Sequence, residues 1–294
     1  AAREKGWTIT HILNTHHHDD HVGGNAEIQQ ATGCTIVGAA CDAARIPGIG
    51  VQLNDGDSYM LGTAKAQVIE VPGHTSGHIA YWFADSDVLF CGDTLFALGC
   101  GRLFEGTPRQ MWTSLSRLRE LPDSAWVYCA HEYTQANARF AETVELDNKA
   151  LAERIAEIDD LRTQGRPTVP SQLGVEKATN PFLRADEPAL AAQIGLAHIA
   201  LHHGIPENDL RHGNGWQVDD PFTWLRWGGL WNRPTLVDVD REGCLDGVSS
   251  LTNGMGFVIA VAVELWQVAA EHCQPWCFLP LKADCIVVHG LSWR

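Results

Sequence analysis

Between Thr15 and Gly24 the chain reads Thr15-His16-His17-His18-Asp19-Asp20-His21-Val22-Gly23-Gly24, which puts four imidazoles and two carboxylates into six consecutive positions. Imidazole nitrogens and carboxylate oxygens are the donors that zinc, iron and manganese take in proteins, and a set this dense reads as half of a two-metal site. A chance histidine run or a tag-like chelator is not preceded by a core strand, nor followed by Asp-His-x-Gly-Gly. Here Trp7-Thr8-Ile9-Thr10-His11-Ile12-Leu13 is β-branched and apolar enough for a buried strand, and Gly23-Gly24 opens a helical stretch near Asn25. The cluster is therefore expected on a strand-to-helix loop. Residues i and i+2 of extended chain point the same way, so His16 and His18 can converge on one ion. The chain then turns, and Asp20 and His21 can serve a neighbouring ion.

A two-ion site needs more donors, and three further segments supply them where apolar strands end. Val68-Ile69-Glu70-Val71-Pro72-Gly73-His74 is a strand, a turn and a histidine; Val88-Leu89-Phe90-Cys91-Gly92-Asp93 ends in an aspartate; Trp126-Val127-Tyr128-Cys129-Ala130-His131 ends in a histidine. Three buried strands should thus deliver His74, Asp93 and His131 to one rim.

The pattern resembles the metallo-β-lactamase fold, an α/β protein with an αββα sandwich, and within it the glyoxalase II (hydroxyacylglutathione hydrolase) branch, whose sandwich is followed by a small helical domain. Thr15-His16-x-His18-x-Asp20-His21 carries the superfamily resemblance. The branch resemblance rests on Gly92-Asp93-Thr94-Leu95-Phe96 with Gly99-Cys100-Gly101-Arg102-Leu103-Phe104-Glu105-Gly106-Thr107, on His131-Glu132-Tyr133-Thr134, and on Asn180-Pro181-Phe182-Leu183-Arg184. It implies that His16, His18 and His74 bind one divalent ion, that Asp20, His21 and His131 bind a second, and that Asp93 bridges them. Zinc is the first expectation, with iron or manganese as alternatives. The implied reaction is hydrolysis of S-D-lactoylglutathione to D-lactate and glutathione by a hydroxide shared between the ions, in methylglyoxal detoxification. Asp20 and Asp93 would take the catalytic roles, and Arg102, Phe104 and Tyr133 would contact the substrate. Phe104 lacks the hydroxyl that some relatives carry there. His17, Asp19 and His78 are expected to support ligands rather than to be ligands.

Composition narrows the alternatives. A net charge of -15 over 294 residues argues against a nucleic-acid partner. No run of 18 or more uncharged apolar residues suggests a membrane span. Nine cysteines without paired spacing suit a reducing, cytoplasmic setting, and no signal peptide is evident. The partner expected is a small-molecule glutathione thioester, met by a monomer. Two other readings stay open: a mononuclear iron persulfide dioxygenase of the same fold, using His16, His74 and Asp93, and a non-catalytic metal-binding fragment.

The organisation expected is a catalytic domain over 1–132, a helical substrate-binding domain over 133–197 and an unmatched tail over 198–294. Helices are predicted over Gln135 to Leu146 and Asn148 to Gln164, with Leu151, Ile155 and Ile158 on one face and Gly165-Arg166-Pro167 as the stop. The chain starts just before the strand that leads to the histidines, where relatives have further strands, so it reads as a fragment with an unpaired sheet edge. The tail holds seven of the 11 tryptophans and no Arg-x-x-Lys of the kind that relatives use for the glutathione carboxylate, and we expect it to be out of frame. Its Cys273, Cys277, Cys285 and His289 lack the two-residue knuckle spacing of a zinc module.

Overall fold

In the computed structural model, which describes residues 2–193 and 284–288, the strand leading to the histidine cluster is β1 (Thr8–Leu13). It pairs in parallel with β2 (Thr35–Ala39), and β2 pairs in parallel with β3 (Ile49–Leu53). Between β1 and β2 lie a single turn, α1 (Asp19–Val22), and α2 (Asn25–Thr32), the second beginning where the glycine pair predicts. The chain continues through β4 (Ser58–Leu61), β5 (Ala64–Glu70), β6 (Ile79–Phe83) and β7 (Val88–Gly92), then through the short hairpin β8 (Leu95–Phe96) and β9 (Gly99–Cys100). Next come α3 (Pro108–Arg119) and β10 (Trp126–Cys129). Helices follow as α4 (Thr134–Val144), α5 (Lys149–Thr163), α6 (Leu173–Thr179) and α7 (Pro188–Gln193), with β11 (Ser171–Gln172) ahead of α6. The larger sheet runs β11-β10-β7-β6-β5-β4.

The side-chain period of two sorts these strands into layers. Leu13 and Val37 share one cluster with Ala66, Val68, Ile79 and Tyr81, which is the seam between the two sheets. Their neighbours Ile12 and Ile36 turn the other way, onto Val22 and Cys34. On the far face of the larger sheet, Ala80, Trp82, Leu89 and Cys91 pack against Met111, Leu115 and Leu118 of α3. That is the αββα order the resemblance implies. Tyr81, fully buried, donates its hydroxyl to the Asn14 carbonyl at 2.9 Å, so the seam fixes the end of β1 just ahead of the histidines. A buried hydroxyl left without that acceptor would cost about 1–3 kcal/mol.

The helices obey their sequence signals. Asn148 caps α5 by accepting from Leu151 N, and Gly165 takes the left-handed conformation (φ 70°) just past its end. Thr107 and Gln110 form a reciprocal capping box at α3, a Thr-x-x-Gln signal legible in the text. Leu151, Ile155 and Ile158 share one face, against Leu98, Ala138 and Ala141. The α4 end and the 182–190 segment reach further: Phe140, Val144, Phe182, Leu183 and Leu190 belong to the same cluster as Leu89 and Cys91 of the sheet.

One expectation is corrected. The outer edge of β1 is not unpaired, because β12 (Asp284–Val288) runs parallel to it, Thr8 opposite Asp284 and Leu13 opposite Val288. A β-branched, apolar segment suffices for this, since ladder bonds are made by backbone groups. The out-of-frame expectation and the Cys273/Cys277/His289 set lie outside the described residues, with Cys285 alone falling on β12.

Candidate metal centre

Four strand ends open on one rim. The loop after β1 carries His16, His18, Asp20 and His21; the turns after β5, β7 and β10 carry His74, Asp93 and His131. His18 Nδ1 lies 3.1 Å from His16 Nε2 and 3.0 Å from His74 Nε2, so three ring nitrogens meet at one point. The outer nitrogens of His16 and His74 are occupied. His74 Nδ1 donates to the Arg102 carbonyl at 2.8 Å, and His16 Nδ1 lies 3.1 Å from the Thr15 hydroxyl. With a proton on the outer nitrogen, the His16 and His74 rings each keep their one in-plane lone pair facing inward. Thr15 is a supporting residue that the sequence reading overlooked, although it heads the histidine motif.

The second group is built from Asp20, His21 and His131. Asp20 Oδ2 stands 3.7 Å from His21 Nε2 and 3.5 Å from His131 Nε2. Asp93 sits between the groups: its oxygens are 3.2 Å from His21 Nε2, 3.2 Å from His131 Nε2 and 3.5 Å from His74 Nε2. Thus {His16, His18, His74} and {Asp20, His21, His131} each gather within a span that one metal ion could hold, and Asp93 reaches both. The structure brings together all seven residues singled out in the sequence.

A divalent cation fits this donor set on two counts. Both His21 nitrogens and Asp93 Oδ1 are buried without a hydrogen-bond partner, although His21 Nε2 and Asp93 Oδ1 stand close together out of hydrogen-bond alignment. Buried polar atoms left so are rare in proteins. The protonation states also suit a metal. Burial, and then the charge of His21, holds His16 well below the usual 6.5, and burial also lowers His18 and His74. Burial pushes the Asp93 carboxyl up, but the charge of His21 and the closeness of His131 outweigh it and leave the group well below its usual range.

Gly92 explains how Asp93 gets there. Its φ is +51°, and a Cβ on it would stand 2.4 Å from Thr15 Oγ1 and 2.8 Å from the His78 ring. Only glycine lets the strand end turn this tightly beneath the histidine loop. His78 is outside both donor groups: Asp93 N donates to its Nε2 at 3.1 Å and its ring stacks on His16 at 4.6 Å. Asp19 is likewise outside them. Two exposed rings flank the opening. Phe104 meets His18 and His74 edge-on at 5.4 Å and 5.2 Å, while Tyr133 stacks on His131 at 4.9 Å. Arg102 is exposed on the same turn as Phe104. Asn180 holds the β8–β9 hairpin that precedes this turn, donating to the carbonyls of Phe96 and Gly99 at 3.0 Å each, and Glu176 accepts from Leu98 N at 2.8 Å.

Comparison with known proteins now gives the geometry a family. The model described as the metallo-beta-lactamase superfamily matches residues 1–131, and that described as the hydroxyacylglutathione hydrolase C-terminus matches residues 132–205. A hydroxyacylglutathione hydrolase of Methylococcus capsulatus is 61% identical over 207 residues, 70% of this chain and 78% of that protein. The chain belongs to the hydroxyacylglutathione hydrolase family. A second family member, from Rhodospirillum rubrum, is 60% identical over 67% of this chain and 77% of its own length. Among solved structures, ETHE1 from Myxococcus xanthus aligns over 71% of this chain and 75% of its own at 28% identity and a TM-score of 0.45, a likeness too loose to weigh for any reading. The family's fold is the αββα sandwich followed by helices described above. No helix among the described residues is long and apolar enough to cross a membrane.

Proposed function

We propose that this chain hydrolyses S-2-hydroxyacylglutathione thioesters, S-D-lactoylglutathione first among them, to glutathione and the free 2-hydroxy acid, in methylglyoxal detoxification. The observation that carries this reading is the meeting of two donor groups on Asp93 in a chain 61% identical to a hydroxyacylglutathione hydrolase. His16, His18 and His74 would hold one divalent ion, Asp20, His21 and His131 another, and Asp93 would be shared. Zinc suits so imidazole-rich a set, and iron or manganese would also be accepted. Two cations so held would supply an acidified water, with a pKa lowered towards about 7, and polarisation of the thioester carbonyl.

The chain's own groups do the rest. Asp20, 54% exposed at the rim, accepts a hydrogen bond from the attacking water and orients it. The sulfur departs as a thiolate, stable enough near neutral pH that no dedicated acid is needed. Arg102 offers a cation to the glutathione moiety, Phe104 an apolar wall and Tyr133 a ring with a polar tip. Residues 1–132 would then carry the chemistry and the contacts of Arg102 and Phe104, and the helical substrate-binding domain over 133–197 would complete the binding surface, beginning with Tyr133. Cys34, Cys41, Cys91, Cys100 and Cys129 are all unpaired, in keeping with a reducing cytoplasm, and a monomer suffices for the site as drawn.

Metal analysis combined with thiol-release assays tests this. Two ions per chain and glutathione release without oxygen uptake are expected. One iron per chain with oxygen consumed on a glutathione persulfide would replace the thioesterase by a dioxygenase, and two bound metals with no turnover would make the chain a non-catalytic metal binder.

A further inference from the structure

Behind the His16–His18–His74 group lies a charged cluster that belongs to neither donor set. His17 turns away from its two neighbours: its Nδ1 stands 2.9 Å from Asp42 Oδ2 and its Nε2 3.1 Å from Arg45 Nη1. Asp42 and Arg45 lie on the 3-10 helix Ala40–Arg45 that follows β2. The Arg45 guanidinium donates to Asp42 through Nε at 3.1 Å and again through Nη2, to Ser76 Oγ at 2.9 Å, and to Glu105 at 2.5 Å and 3.2 Å. Glu105 also accepts from Ser76 N at 2.8 Å and Ser76 Oγ at 2.7 Å.

Each of these partners sits beside a residue of the site. His17 separates His16 from His18, Ser76 is two residues past His74, and Glu105 directly follows Phe104. The His74 and Glu105 loops are already joined by backbone bonds from Phe104 N and Glu105 N to the His74 carbonyl and from Gly106 N to the Gly73 carbonyl, and the guanidinium adds the His16–His18 loop to that pair through His17. The seat is built for it. Asp42 is 1% exposed, and a Cβ at Gly77 would stand 2.2 Å from the Asp42 carboxyl carbon, so the His74 loop closes over that carboxylate only because glycine is there. An ion pair as accessible as Arg45 with Glu105 adds little to global stability. Its effect is local, since a planar fork with five donors fixes the relative placement of what it binds in a way that a lysine ammonium cannot.

We propose that Arg45, seated on Asp42 and joined to Glu105, Ser76 and His17, is a positioning residue that sets the spacing of the His16–His18 and His74 loops and so the affinity of that half of the site for its ion. The inference rests on the two-ion reading, and its test separates the two.

Wild-type protein loaded with zinc, and Arg45→Ala, Arg45→Lys and Glu105→Gln variants loaded in the same way, are titrated with a chelator while metal release, kcat, KM and thermal midpoint are followed. His18→Ala and His131→Ala identify which release phase belongs to which half. Arg45→Ala is expected to weaken the His18-dependent phase by about 10–100-fold and to leave the His131-dependent phase near wild type. The loss should fall on kcat more than on KM, with the thermal midpoint of the metal-free chain little changed. Arg45→Lys should not restore the affinity, whereas added guanidinium ion should partly restore it in Arg45→Ala. Glu105→Gln should shift the same phase by less. Wild-type release of both ions from Arg45→Ala, or equal weakening of both phases together with a fall in thermal midpoint, would overturn the proposal and leave the two-ion reading standing. A wild-type chain that binds fewer than two ions would overturn that reading and the positioning role with it.

Discussion

The two halves of the site are held in different ways. In the His16, His18 and His74 half, His18 Nδ1 lies about 3 Å from the inner nitrogen of each of the other two, the outer nitrogens of His16 and His74 are occupied, and the loops are braced from behind. In the other half, Asp20 is 54% exposed, its oxygen is 3.5 Å or more from either histidine, and His21 has no hydrogen bond to orient its buried ring. The first half is uncharged and geometrically prepared; the second would draw a cation with carboxylate charge. Preparation and attraction are separate routes to affinity, and on the two-ion proposal this chain would divide them between neighbouring ions.

Removing what the halves share should have the largest effect. Asp93→Ala is expected to lower thioester hydrolysis by at least about 100-fold, more than loss of any one terminal histidine, because neither half keeps its shell. Near-normal turnover with two bound metals would abolish the comparison by showing that Asp93 joins nothing. Within the prepared half, His74→Ala should cost more metal than His78→Ala, since His78 reaches the site only through the Asp93 amide and the His16 ring. Equal metal loss in both would mean the wrong histidine has been placed in the donor set.

Acid should find the same asymmetry. His16, His18, His74 and His78 are held below the usual 6.5 in the fold, chiefly by burial. Between 6.5 and those lowered values the unfolded chain binds more protons than the folded one, so stability falls as pH drops. Metal-free protein melted from pH 8 down to pH 5 should hold its thermal midpoint until about 6.5 and lose it below. A midpoint flat to pH 5 would mean the imidazoles are not buried as described. The smallest effect is expected from Phe104→Tyr at the rim of the prepared half. One regained neutral hydrogen bond contributes about 0.5–1.5 kcal/mol, which should lower KM by roughly two- to tenfold with kcat unchanged. No change in KM would place the glutathione moiety elsewhere.

The donors were legible in the text because each sits where an apolar strand stops, and a stopped period of two is a local signal. His74, Asp93 and His131 needed only their own preceding residues to be read. The bracing groups were not legible for the opposite reason. Arg45 and Glu105 are 60 residues apart, and nothing near either says that they meet. Asp42 is buried because of what Gly77 lacks, a fact written in another loop. Asn180 was visible as part of a family motif, but its task, gripping the hairpin 84 and 81 residues away, belongs to tertiary structure. The edge of β1 was misjudged because a partner strand so distant in sequence leaves no mark near the edge it covers.

The helices after β10 share one apolar cluster with the larger sheet, and Phe182 and Leu183 lie in the same core as Leu89 and Cys91. Residues on either side of the α4–α5 turn are therefore joined by more than the peptide bond between them. Leu146, 79% exposed in that turn, offers a place to cut. A chain nicked there should behave as a split protein: its two pieces should co-elute on gel filtration under native conditions, part only in denaturant, and reassemble when mixed after separate refolding. Pieces that drift apart on dilution would show that the common core is too small to serve as their adhesive.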